Sequence, residues 1–194
     1  MKNKLKQLGI IAIVTIIVFS ITSCEEEDPC ANCLSIGTTG PGGGKIFYHN
    51  HSGFTVTGTG SFTAYYLEVA PNNQGKALAW SSYDFRQTYI PTEKFIGTGK
   101  ANTASILSID ANAPAAKACN DYRNNNKADW FLPSADELLE LSKQKNHCNI
   151  TDSNLWSSTQ SSNGSTFEVY FPVGTYSQSK NTLAPTTVRA IRAF

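Results

Sequence analysis

The sequence predicts an α+β domain of short strands, two principal helices and long loops. Residues 129–143, DWFLPSADELLELSK, carry most of that reading: a bulky apolar run, a proline, then a capped amphipathic helix. Pro114 opens a second, alanine-rich helical segment. The other apolar runs are short and bounded by Gly, Pro, Asn and Ser, as strands are.

Residues 1–23 stand outside this domain. Lys2, Lys4 and Lys6 make a positive leader, and residues 8–19 an apolar stretch too short to span a bilayer comfortably. The segment ends Ile21-Thr22-Ser23-Cys24, which resembles the bacterial lipobox. That resemblance implies cleavage before Cys24 and lipidation of its thiol and new amino terminus. Each buried acyl methylene contributes about 0.8 kcal/mol, so several chains anchor firmly. Glu25-Glu26-Glu27-Asp28 resembles the export signal of lipoproteins shown on the outer face of the outer membrane, and reads equally well as a solvated tether. The expected organisation is a signal peptide (1–23), a lipidated Cys with acidic tether (24–35) and one domain (36–194). It sits in the bacterial cell envelope, with the membrane as a partner through the anchor.

The full chain has 16 Lys and Arg against 15 Asp and Glu; without the three leader lysines, 13 basic residues remain and the net charge is −2. No clustered basic surface is indicated, so no nucleic acid is expected as a partner. The 36–194 segment is long enough to bury one core.

Gly40-Pro41-Gly42-Gly43-Gly44-Lys45 looks like a phosphate loop but lacks the first Gly and the final Ser or Thr, where Thr39 and Ile46 stand. It reads as a turn feeding the strand Ile46-Phe47-Tyr48. His49 and His51 follow on one side of that strand; two imidazoles without a third ligand do not make a metal site. Residues 53–63 read as the hairpin's loop, and residues 64–69 (AYYLEV) as the returning strand, halted by Pro71. Trp80, Tyr83, Phe85 and Tyr89 dot a segment with little periodicity, where aromatics either stack on sugars or plug the core edge; Trp80 leans to the core. Residues 96–100 form a turn, with Asn102 or Thr103 capping a short helix through Leu107. Ala115, Ala118, Cys119 and Tyr122 share the buried face of the Pro114 helix.

In the central stretch Trp130, Phe131 and Leu132 form the strand, and Pro133 ends it. Ser134-Ala135-Asp136-Glu137 is a capping box, and Ala135, Leu138, Leu139 and Ser142 make the core stripe, widened by Leu141. Asp136, Glu137 and Glu140 are thereby explained as helix chemistry rather than catalytic carboxylates. Residues 155–159 and 167–171 are further strands. Residues 188–194 end the chain as a central strand whose Arg189 and Arg192 need partners, Glu137 and Glu168 being the candidates; anion binding is the other role such arginines serve.

With Cys24 lipidated, Cys30, Cys33, Cys119 and Cys148 allow three pairings. Cys119–Cys148 is favoured, because it would tie the end of one helix to the end of the next, closing a loop worth roughly 3–4 kcal/mol. Cys30 and Cys33 would pair locally. Zinc and redox readings of this C-x-x-C lack a second C-x-x-C and a βαβ context.

Taken in order, GPGGGKIFY, YYLEVAP, IGTGKANT, AAKACNDY, DWFLPSADEL, LWSST and VRAIRAF resemble the Lcl C-terminal-like family of bacterial envelope proteins, over residues 36–194. That family is similar to the C-type-lectin-like superfamily of the formylglycine-generating-enzyme kind, whose LPT-x-x-E helix start is echoed by residues 132–137. The resemblance implies a C-type-lectin-like, mainly antiparallel sheet with two helices and a loop-rich flank. The family's namesake domain tips an adhesin and binds sulfated polysaccharides. This chain departs from the pattern: it has no Glu-Pro-Asn, Gln-Pro-Asp or Trp-Asn-Asp triplet, no Cys after Cys148, and no basic face for a polyanion.

The expectation is therefore a non-catalytic ligand-binding module, with a glycan or an envelope protein as partner and no cofactor or metal. No Ser-His-Asp order, metal triad or isolated carboxylate pair marks an enzyme. The binding face is expected on the loops before the last strand, at Trp80, Tyr83, Tyr170, Tyr176, Gln178 and Lys180. A structural, complex-forming lipoprotein is the alternative, and an envelope enzyme the second.

Overall fold

A computed structural model describes residues 33–179 and 182–194. Cys24, Cys30 and Lys180 lie outside them. The domain is α+β with mostly antiparallel sheets and three α-helices. None of the described helices is long and apolar enough to cross a membrane.

Strand β1 (Lys45–Val56) pairs with β2 (Phe62–Val69), and β2 with β8 (Ile191–Ala193), in a three-stranded antiparallel sheet. The expected loop at 53–63 is shorter than predicted, because β1 runs on to Val56 through irregularities in register. One falls between Ile46 and Tyr48, and it lets the successive residues Ile46 and Phe47 both face the interior. A second sheet has the order β3-β7-β4-β5-β6, from β3 (Gly75–Leu78), β7 (Thr186–Val188), β4 (Asn154–Ser162), β5 (Ser165–Tyr170) and β6 (Thr175–Ser179). Its pairings are antiparallel except β4 with β7. Residues 167–170 lie on β5 as expected, and residues 175–179, expected among the loops before the last strand, form β6 paired with it.

The expected last strand is split. Thr186–Val188 joins the five-stranded sheet and Ile191–Ala193 the three-stranded one, so Arg189 and Ala190 carry the chain from one to the other. Phe131, expected within a strand, makes a single antiparallel bridge to Ile191, while Trp130, Phe131 and Leu132 are all buried as their bulk predicts.

Helices α1 (Gly99–Ile109) and α2 (Pro114–Asn120) pack around Trp80, Trp130, Leu132 and Trp156 in one core cluster. The helix expected to be short, α1, starts earlier than predicted and runs for 11 residues, with Asn102 and Thr103 buried inside it, so three α-helices stand among the described residues. Helix α3 (Ala135–Lys143) seals the other cluster through Leu138 and Leu141, against Phe47, Leu67, Val169 and Phe171. Its capping box is complete: Glu137 N donates to Ser134 Oγ at 3.3 Å and Ser134 N to Glu137 Oε2 at 2.7 Å.

The Cys119–Cys148 disulfide is not formed; both thiols are free and buried. Cys119 belongs to the cluster around α1 and α2, whereas Cys148 turns back to β1, its Sγ 3.7 Å from Ile46 O. The residues after α3 curl towards the other core, so sequence proximity to two helix ends did not mean spatial proximity. Cys33 is disulfide-bonded to a partner outside the described residues.

Candidate functional site

Two glycine-rich turns draw the eye first, and both are filled by the protein's own carboxylates. Glu68 is fully buried; its Oε1 accepts from Gly42 N at 2.8 Å and its Oε2 from Gly44 N at 3.1 Å. The GPGGGK turn is thus an anion nest for a side chain from β2. Gly97 N donates to Glu137 Oε1 at 2.9 Å. Burial pushes the Glu137 carboxyl up to about 7, against the opposing pull of the Ser134, Gly97 and Gly99 amides. Here only glycine fits: Gly97 has φ +88° and a methyl there would run into the Thr55 carbonyl oxygen.

The arginine partners differ from those expected. Arg192 Nη1 donates to Glu68 at 2.7 Å, and its Nε and Nη2 grip Asp129 at 2.8 and 2.9 Å. Arg189 donates to the carbonyls of Ala70 and Pro71 and to Asn73 Oδ1. Glu137 and Glu168 partner neither arginine; Glu137 is taken by its helix start.

The surface feature suited to a ligand is a shallow groove of about 300 Å³ between residues 92–95 and the ends of β4, β5 and β6. Its walls are fixed by hydrogen bonds across the fold. Gln160 accepts from Ile90 N at 2.6 Å and donates to Thr88 O at 2.8 Å, and its own amide donates to Thr92 Oγ1 at 2.8 Å. Asn102 holds Glu93 through both backbone groups. Asp136 N donates to Lys94 O at 2.9 Å. Phe95 lies on the rim, 55% exposed, with Phe167 and Gln178 opposite each other on β5 and β6.

Of the expected binding residues, Gln178 lines this groove. Tyr176, two residues before it on the same face of β6, packs on Phe167 at 5.6 Å and hydrogen-bonds through its hydroxyl to Asp136. Burial and then Asp136 raise its pKa, so it stays a phenol tying β6 to α3. Tyr170 is exposed at the far end of β5. Tyr83 is 65% exposed on a 3₁₀ turn, with the Arg86 guanidinium 3.9 Å above its ring, and does not line the groove. Trp80 is no ligand contact: it is 1% exposed, and its Nε1 donates to Ser157 O at 2.8 Å. Sequence reasoning missed Phe95 and Lys94; the one signal was a Lys-Phe pair between Pro91 and the Gly97 turn.

Comparison with known proteins finds no family model and no curated protein that matches the chain.

Proposed function

We propose that this chain is a lipid-anchored protein of the bacterial cell envelope whose domain, lectin-like in kind and akin to the Lcl C-terminal-like family, binds a glycan without catalysing a reaction. The groove beside Phe95 is the observation that carries the binding role. Phe95 and Phe167 offer apolar ring surface for the C–H face of a sugar, and Glu93, Lys94, Ser161 and Gln178 surround them with hydroxyl-binding groups. Rigid walls lower the ordering cost of binding a polar ligand. Glu68 and Glu137, both fully buried, do not line the groove and are engaged by backbone amides. The lipobox and acidic tether support the location.

The test is a glycan array followed by calorimetric titration, with Phe95→Ala and Gln178→Ala beside the parent chain. A glycan bound by the parent and weakened about two- to tenfold by Phe95→Ala is expected, since an aromatic contact contributes about 0.5–1.5 kcal/mol. No binder at high micromolar protein, or equal binding by Phe95→Ala, would overturn the reading. A protein partner retained from native membranes, with no glycan bound, would move the domain to the complex-forming alternative.

A further inference from the structure

The sequence holds an H-x-H at His49 and His51, and the fold brings Cys33 beside it. One ligand atom from each of Cys33, His49 and His51 lies within 4.8 Å of the others. Cys33 Sγ is 3.9 Å from His49 Nε2, and the two imidazole centroids are 4.2 Å apart. His49 is held in place by its stacking on Tyr66, 4.4 Å away and nearly parallel, and Tyr66 stacks in turn on Phe194. Metal–ligand bonds of about 2.0–2.3 Å put the donor atoms of a tetrahedral zinc roughly 3.3–3.8 Å apart, so a small closing movement suffices. His51 is exposed, while Cys33 and His49 are half-buried.

We propose that Cys33, His49 and His51 form a redox-gated site for a borderline-soft divalent transition-metal ion, of which zinc is the representative. In the oxidised chain Cys33 is engaged in a disulfide, whose sulfur is a poor ligand, and the two imidazoles alone hold an ion weakly. A dithiol reductant supplies two electrons and two protons: the S–S bond breaks, two thiols form, and the dithiol leaves as its own disulfide. The metal ion then displaces the Cys33 thiol proton to solvent and accepts lone pairs from the thiolate and from one unprotonated nitrogen of each imidazole. The site is independent of the groove and of the glycan reading.

The full chain is titrated with zinc and with cobalt(II), once oxidised and once after reduction by a phosphine, which takes up the oxygen of a water molecule as the disulfide becomes two thiols. The expected result is one ion per reduced chain, bound at least about tenfold more tightly than by the oxidised chain, with a sulfur-to-cobalt charge-transfer band. His51→Ala, at an exposed position, weakens binding by at least about tenfold, His49→Gln does likewise, and Cys33→Ser removes the band, each with the far-ultraviolet dichroism of the parent chain. Equal affinity before and after reduction, binding unchanged by His51→Ala, or a band that survives Cys33→Ser would each overturn the proposal.

Discussion

Glu68 on β2 and Arg192 on β8 stand directly opposite one another across the three-stranded sheet, their charged ends 2.7 Å apart and both side chains almost sealed from water. Neither charge would be tolerable alone. The remaining acceptor sites of Glu68 take the amides of Gly42 and Gly44, and the rest of the Arg192 fork grips Asp129 at the outer edge. One pair thereby fastens the glycine turn, the central strand and the end of the chain into a single unit.

Breaking that pair from one side leaves an uncompensated buried charge. Glu68→Gln and Arg192→Met are each expected to lower stability by about 3–5 kcal/mol, read from the urea midpoint at unchanged slope. The double substitution should cost less than the two singles together, because no lone charge remains. Additive losses would mean that the two groups do not act as a pair.

Gly97→Ala should destabilise the domain by about 3 kcal/mol or more. It forces a side chain into a left-handed backbone and against the Thr55 carbonyl, and it disturbs the amide that holds Glu137. Gly60→Ala makes the control for backbone strain alone: its φ is +70° but open space surrounds it. The thermal midpoints of the two variants should differ clearly, with Gly97→Ala the lower.

Glu137 links stability to pH. Its folded carboxyl is raised to about 7 from an ordinary value of 4.5. Between those values the folded state keeps a proton that the unfolded state has lost, so stability falls as pH rises through the window and levels off above it. The size is about 3 kcal/mol at 1.36 kcal/mol per unit. Glu137→Gln should flatten the slope between pH 4.5 and 7, at a cost of about 1–3 kcal/mol from an amide left facing backbone N–H groups. A denaturation series across that range decides it; an unchanged slope assigns the dependence to other groups.

Cys119 and Cys148 should resist alkylation in the native protein and react once it is denatured. Both are buried, and burial pushes the Cys148 thiol up to about 11 and the Cys119 thiol higher still. Mass spectrometry of peptides from the unreduced chain should find no link between them.

What the sequence revealed depended on how far apart the partners are. The α3 start was legible because Ser134 and Glu137 satisfy each other within one turn, and the core stripe because Leu138 and Leu141 recur at helical spacing. The glycine turns were recognisable as turns, but not as cradles, because the carboxylate each receives arrives from 24 to 40 residues away. The partners of Arg189 and Arg192 were out of reach for the same reason. Trp80 was ambiguous until its indole was found donating to Ser157 O, 77 residues on. Phe95 gave no periodic signal at all, since residues 92–95 are positioned by side chains of β4 and α1 rather than by a strand or helix of their own.

The way residues 186–194 serve both sheets has a consequence for biogenesis. β7 completes one sheet and β8 the other, so neither can close until this stretch has arrived. During synthesis from the N-terminal end, β3 therefore stays without its neighbour β7, and β2 keeps an open edge, until residues 186–193 have been made.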